Sequence, residues 1–319
     1  MARLRTLLVV ALFALLGVYA TCISADKNLF ILIAVLVIET TWYINGTCIN
    51  DIADEEIDKI NLKNAPSRPL INNKATKKEL YNIAIITGVV SLAVAAFLNH
   101  TAVVLTSFGL VLNYVYSMPP FKLSYRGAVA IIILPVGYVL LPFLLAATSV
   151  HGTFTATTFL LLAGSYIAFM GRILLKDFRD VKGDRKFGKR TFLVRYGTKA
   201  TIIASSYLWV VGSICTAYAC RTISQVMSLI IIVQCIYILW LLSKFYSHTI
   251  SKDQQQIVIG AIAKTASVSI ICMILALSES VQTKTGHTML ILIQISIVSY
   301  MFFVTFSQVK NYDLAKVSY

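Results

Sequence analysis

Two short acidic segments carry most of the chemistry-bearing side chains in this sequence. Asp51, Asp54, Glu55, Glu56 and Asp58 fall within eight residues, and Asp177, Asp180 and Asp184 form a second group. Together they hold eight of the 14 acidic residues. Both groups read D-x-x-D-x-x-x-D, 126 residues apart. On a helix those offsets return to nearly one face, and Asn50, Asp54 and Asp58 make a further stripe at i, i+4, i+8. Each segment therefore presents carboxylates in a row that repel one another. A solvated acidic helix end is the plain explanation for one such cluster. The same spacing at equivalent ends of two long apolar stretches argues for an internal repeat, with two copies facing one site. A hard cation with oxygen ligands offsets such repulsion. Magnesium fits best, because it takes a few carboxylates and fills its other positions with waters and substrate phosphates. Two sets of carboxylates imply two or more ions clamping a polyphosphate.

Basic residues surround both groups. Arg172, Lys176, Arg179, Lys182, Arg185, Lys186, Lys189 and Arg190 interleave the second, and Lys59, Lys63 and Arg68 follow the first. Membrane sidedness accounts for most of these charges, and the remainder are available to phosphate oxygens. A magnesium-bound diphosphate at a membrane surface, with its tail in the bilayer, satisfies all of these features.

The elements that must hold such a site are membrane helices. The chain has 319 residues, of which 58% are hydrophobic and 13% charged, with 28 basic against 14 acidic residues and a net charge of +14. Soluble domains carry about 25% charged residues. Disordered chains lack this hydrophobicity, and nucleic-acid binders carry their positive charge on a soluble domain. Ten stretches are long and apolar enough to be candidate spans: 7–23, 29–48, 79–98, 101–117, 127–148, 154–175, 199–220, 224–243, 257–277 and 287–306. The span 101–117 is the shortest and contains Asn113. With a cytoplasmic N-terminus, 24 of the 28 basic residues fall on the inner side; Lys27, Arg221 and Lys284 fall outside, and Lys264 lies within a span. Both termini and both acidic groups are then cytoplasmic. The expected fold is an all-α polytopic bundle of nine to ten transmembrane helices. It forms one domain over 1–319, with motif-bearing halves of about 1–126 and 127–250 and an additional C-terminal helix at 287–306. The six cysteines form no C-x-x-C pair and are read as free thiols. The four histidines lie at span ends without metal-ligand spacing.

These residues resemble the UbiA superfamily of intramembrane prenyltransferases. The stretch from Asn50 to Asn61 looks like its first aspartate motif, with Arg68-Pro69-Leu70 at the position of its "RP" turn. Tyr116-Ser117-Met118-Pro119-Pro120-Phe121-Lys122-Leu123-Ser124 is similar to its inner-loop signature. Lys176 to Asp184, with Gly188-Lys189-Arg190-Thr191, resembles its second motif. The sequence departs from the family at Asn72-Asn73, where a Ser-Gly pair is common, and in having ten candidate spans where nine are usual.

The resemblance implies magnesium-dependent transfer of a prenyl group from a prenyl diphosphate to an acceptor in or at the membrane, with release of diphosphate. It assigns Asn50, Asp54 and Asp58 to one ion and Asp180 and Asp184 to another. Asp51 and Asp177 serve as ligands or as residues that orient them. Arg68, Lys122, Lys189 and Lys176 are the phosphate-contact candidates, and Tyr116 faces the cation or the acceptor. Glu39 lies about three helical turns deeper than Asn50 on nearly the same face. An intramembrane acid is a functional candidate, either lining the chamber and orienting or deprotonating the acceptor, or pairing with Lys264 or a polar neighbour. The implied partners are the prenyl diphosphate, a small-molecule or lipid acceptor and membrane lipid, with no nucleic acid and no obligate protein partner. Relatives of this type use quinone-ring precursors, chlorophyll-like acids, haem or glycerol phosphate lipids. The alternatives are cyclisation of the prenyl diphosphate without an acceptor, and membrane transport.

Overall fold

The computed structural model describes residues 4–21, 29–61, 68–246, 250–278 and 284–315. Every regular element among them is helical, as expected where a lipid environment requires each backbone group to find its partner within the segment. Eight helical stretches are long and apolar enough to cross a membrane, which makes the chain an integral multi-pass membrane protein. α1 (Leu4–Thr21) and α5 (His100–Ser117) also form where spans are predicted but are not among the eight. α5 carries His100, Asn113, Tyr114 and Tyr116 within 18 residues, which lowers its apolar character. Cys48, Cys215, Cys220, Cys235 and Cys272 are free thiols, and Cys22 lies outside the described residues.

The chain divides into two compact units. The first comprises 1–153 and takes back 180–197; the second comprises 154–179 and 198–319. In the first, α2 (Leu29–Ala53) packs against α4 (Lys77–Leu98) through a cluster of Cys48, Ile49, Ile52, Leu80 and Ala84. A polar knot fixes the rotation of α2. Asn45 Nδ2 donates to the Ala84 carbonyl at 2.9 Å, and Asn113 Nδ2 of α5 donates to Asn45 Oδ1 at 3.0 Å and to the Trp42 carbonyl at 3.2 Å. Inside a bilayer such hydrogen bonds and small residues substitute for hydrophobic drive. Gly46 belongs to this contact, since a Cβ there would stand 2.6 Å from Asn113 Oδ1. Asn99 ends α4 and caps α5, accepting the Ala102 N–H at 2.8 Å.

The predicted span at 127–148 is interrupted. α6 (Ala128–Pro135) runs into one wide π turn at 136–140 before α7 (Leu141–Ser149). Pro142 lacks an N–H and its ring crowds the carbonyl four residues earlier, so a regular turn cannot close there. The wide turn brings Tyr138 within 6.4 Å of Tyr43, ring to ring.

α3 (Glu55–Asn61) continues α2 almost without a break. Asp54 N–H donates to the Asn50 carbonyl at 2.9 Å and Asp58 N–H to the Asp54 carbonyl at 2.8 Å. α9 (Val181–Lys186) is the short helix of the returning segment. The second unit contains α8 (Ala156–Lys176), most of α10 (Phe192–Arg221, broken at Gly197), α11 (Gln225–Ser243), α12 (Lys252–Leu277) and α13 (Lys284–Ala315). Ser205 of α10 donates to the Gly171 carbonyl of α8 at 2.9 Å. α13 is joined to its neighbours by Gln294 donating to the Cys272 carbonyl at 2.9 Å and by a Tyr237–Thr305 hydroxyl pair at 2.9 Å.

Two glycine substitutions should have opposite effects. Gly46→Val forces a branched side chain into Asn113 and should lower stability by about 1–3 kcal/mol. Gly260→Ala in α12 meets nothing within 4 Å and should raise it by about 0.5–1 kcal/mol through helix propensity. Thermal unfolding in detergent measures both shifts.

Candidate active site

Acidic residues from both predicted motifs meet in the first unit. α2 and α3 carry Asp51, Asp54 and Asp58. The returning segment carries Asp180, at the start of α9, and Asp184. Asp51, Asp54, Asp58, Asp184 and Arg68 are each 6% exposed or less. Burial of four carboxylates is tolerable only with positive charge beside them. Arg68 and Lys189 supply it.

The pairing follows helix geometry rather than motif membership. Asp51 and Asp58 are seven residues apart and share a face, with Asp54 rotated from them by about 40–60°. Arg68 Nη1 accordingly bonds Asp51 Oδ1 and lies 3.0 Å from Asp58 Oδ2. Asp54 turns to the other segment, where Lys189 Nζ lies 3.0 Å from Asp54 Oδ2 and 4.0 Å from Asp184 Oδ1. Asn50 Nδ2 donates to the same Asp54 oxygen at 3.1 Å. One ammonium thus joins carboxylates 130 residues apart in the sequence, from Asp54 to Asp184.

A chain reversal brings Lys189 back over Asp184. Phe187 N–H donates to the Gly183 carbonyl at 3.0 Å, closing the last turn of α9. Gly188 then takes φ +69°, the left-handed conformation that suits glycine at a helix C-terminus. The Lys189 N–H donates to the Asp184 carbonyl at 2.8 Å. On the far side, Asn61 Oδ1 accepts the Gly183 N–H at 2.6 Å and ties α3 to α9.

Lys122 and Lys189 share an aromatic partner. Their Nζ atoms stand 5.0 and 5.6 Å from the centre of the Tyr125 ring, within cation–π range. Lys122 has φ +40°, a left-handed conformation uncommon for a residue with a side chain. Burial, with the Asp54 charge adding to it, pushes the Tyr125 phenol above its ordinary pKa and keeps it neutral. Outside this centre, Glu55 meets Lys77 at 2.6 Å and Lys59 at 3.1 Å. The Lys77 contact leads in holding its carboxyl below the usual range. This contribution is present above the carboxyl's ordinary pKa and fades as pH falls through the lowered value.

The remaining candidates are dispersed. Tyr116 is half-buried on the last turn of α5. Asp177 is buried and Lys176 exposed at the end of α8, in the second unit. Glu39 is buried in α2 and makes no hydrogen bond or ion pair among the described residues. Lys264, offered by the sequence as its partner, donates instead to Gln308 at 2.8 Å. Two residues at the centre, Tyr125 and Asn61, are absent from the sequence-derived candidates. Asn61 had a signal, because it extends the Asp51, Asp54, Asp58 series by three residues. Tyr125 had only its place three residues after Lys122.

Among the described residues, no three carboxylate, imidazole or thiol side chains converge into a ready-made metal cage. The available donors are oxygens, with Asp54 and Asp184 at Lys189 and Asn50 on the Asp54 carboxylate. That chemistry suits a hard ion completed by water and phosphate oxygens.

A family model for the UbiA prenyltransferase family matches residues 7–268. The chain belongs to that family. It is 32% identical over 158 residues to a chloroplastic chlorophyll synthase of Arabidopsis thaliana, covering 47% of this chain and 40% of that protein. It is 27% identical over 195 residues to a digeranylgeranylglyceryl phosphate synthase of Methanocaldococcus jannaschii, covering 59% and 64%. The chain thus spans less than two thirds of the length of either relative. The fold matches a solved UbiA homolog from Archaeoglobus fulgidus bound to DMAPP and Mg2+, with TM-score 0.63, 19% identity and coverage of 85% of this chain and 98% of that one. A solved digeranylgeranylglyceryl phosphate synthase gives TM-score 0.62 at 22% identity, covering 87% and 99%.

Replacing Arg68 by Met leaves Asp51 and Asp58 buried without their guanidinium. This should lower stability by about 3–5 kcal/mol at neutral pH. Arg68→Lys should recover only part, because one ammonium cannot reproduce the guanidinium fork. Denaturant titration of the three proteins measures the order.

Proposed function

We propose that this protein transfers a prenyl group from a prenyl diphosphate to an acceptor held in or at the membrane, with magnesium as cofactor. The observation that carries this reading is Lys189, which joins Asp54 of the first aspartate segment to Asp184 of the second. Asn50, Asp54 and Asp58 would hold one magnesium ion, and Asp180 and Asp184 another. Asp51 would bind or orient beside them. Bound magnesium neutralises the charge that develops on the diphosphate leaving group. The names of the relatives, both synthases, and the DMAPP and Mg2+ bound by a solved homolog of the same fold support this reading.

The chain's own residues perform the rest. Arg68 and Lys189 already balance carboxylates, so an arriving diphosphate offers them oxygens of the same kind. Lys122, beside Lys189 on the Tyr125 ring, adds a phosphate contact. As the allylic carbon–oxygen bond breaks, its electron pair leaves with the diphosphate; an electron pair of the acceptor then bonds the allylic carbon, and the acceptor's proton passes to an oxygen of the departing diphosphate. The rings of Tyr125 and Tyr116 offer electron-rich faces to the allylic cation. The apolar helices exclude water that would otherwise capture it. The positive-inside pattern of the basic residues supports a cytoplasmic position for the site. The chain acts as one prenyltransferase domain, with α13 an addition beyond the family match. A cyclase would use the same ionisation without an acceptor, and product analysis separates the two.

Glu39 lies about 16 Å along α2 from Asn50. That depth suits contact with the body of a bulky acceptor better than proton removal at the reacting carbon. A buried carboxyl without a partner is costly unless a ligand completes it.

Purified protein given prenyl diphosphates should release pyrophosphate only with magnesium, and EDTA should abolish release. Asp54→Asn and Asp184→Asn should each lower turnover by at least about 100-fold. No release at any chain length, with or without acceptors, would sink the enzyme reading. Glu39→Gln should raise the acceptor KM several-fold and leave the prenyl diphosphate KM unchanged. Unchanged acceptor kinetics would remove Glu39 from the acceptor site.

A further inference from the structure

Asn61, at the end of α3, is built into the centre by the oxygen end of its amide. Its Oδ1 accepts the Gly183 N–H at 2.6 Å. A Cβ on Gly183 would stand 2.6 Å from Asn61 Nδ2. Only a glycine therefore lets the amide lie against this backbone. Gly183 is followed directly by Asp184, which faces Lys189. The hydrogen bond thus fixes where Asp184 is presented.

The other end of the amide is incomplete. Asn61 Nδ2 is buried and has no hydrogen-bond partner among the described residues. Buried donors are satisfied in the great majority of native structures. An amide NH2 donates two hydrogen bonds and accepts none, so an acceptor is required. Asn61 lies three residues beyond Asp58, the acid that Arg68 approaches at 3.0 Å, and its clamp holds the residue before Asp184. In this setting the fitting acceptor is an oxyanion that also engages Arg68 and Lys189.

We propose that Asn61 is a substrate-binding residue whose Oδ1 holds Gly183 in place while its Nδ2 donates to an oxygen of the diphosphate. The proposal rests on the prenyl diphosphate reading of the site. It also gives a reason for glycine before the last aspartate of the second segment: a larger residue would push the amide away from its ligand.

Wild type, Asn61→Asp, Asn61→Leu and Gly183→Ala are compared in neutral detergent free of anionic lipid. Two readouts are taken: KM and kcat for the prenyl diphosphate, and protection against thermal unfolding by inorganic pyrophosphate with magnesium. Asn61→Asp keeps the acceptor for Gly183 but replaces the donor with an anion. It should raise KM at least tenfold and lose the protection, read as the ligand-induced shift from its own ligand-free unfolding temperature. Asn61→Leu and Gly183→Ala should lose protection and also unfold earlier. Wild-type KM and protection in Asn61→Asp overturn the proposal. Variants that lower only stability and kcat, with KM unchanged, also overturn it, because the role is then structural. A wild type that neither releases pyrophosphate nor is protected by it defeats the functional reading itself, a result distinct from failure of Asn61 alone.

Discussion

Ionised carboxylates buried in an apolar bundle are costly unless a cation is brought to them, and at the two aspartate segments this requirement organises the first unit. Arg68 spans Asp51 and Asp58, and Lys189 spans Asp54 and Asp184. Desolvation makes each acid costly alone, so any element that carries one must be held where its partner can reach it. The polar knot of Asn45 and Asn113 sets the rotation of α2, and with it the direction of the aspartate stripe. The left-handed turn at Gly188 returns Lys189 to the acids from the other segment.

The same arrangement is suited to exchange. Arg68 and Lys189 are positioned by carboxylates, and those carboxylates are oxygen donors of the kind magnesium takes. A diphosphate with its metal presents the complementary set: phosphate oxygens for the cations and positive charge for the acids. The internal ion pairs therefore keep the groups in place before substrate arrives, which limits the reorganisation required on binding. Tyr125 adds a neutral aromatic surface beneath two ammonium groups.

Much of this was legible in the residues. Hydropathy placed helices at all ten expected positions, because a lipid-facing helix must be apolar along its length. α5 shows the limit: its polar residues leave it helical but outside the eight stretches long and apolar enough to cross a membrane. The spacing of Asp51, Asp54 and Asp58 indicated a shared helical face, and their partition between Arg68 and Lys189 is a consequence of the angle between positions. The choice of cation for each acid was not legible, since it depends on the returning segment. Nor was Tyr125, whose contacts arise from a turn that no periodicity marks.

The sequence by itself determined the helical membrane character, the family and the two acidic segments, because composition and spacing along one chain encode them directly. Tertiary structure decided which charges meet. It joined Asp54 to Asp184 through Lys189, placed Asp180 and Asp184 in the first unit with Asp177 in the second, and set Asn61 against Gly183. These are contacts between residues more than 100 positions apart, and only packing of helices brings such residues within hydrogen-bonding distance.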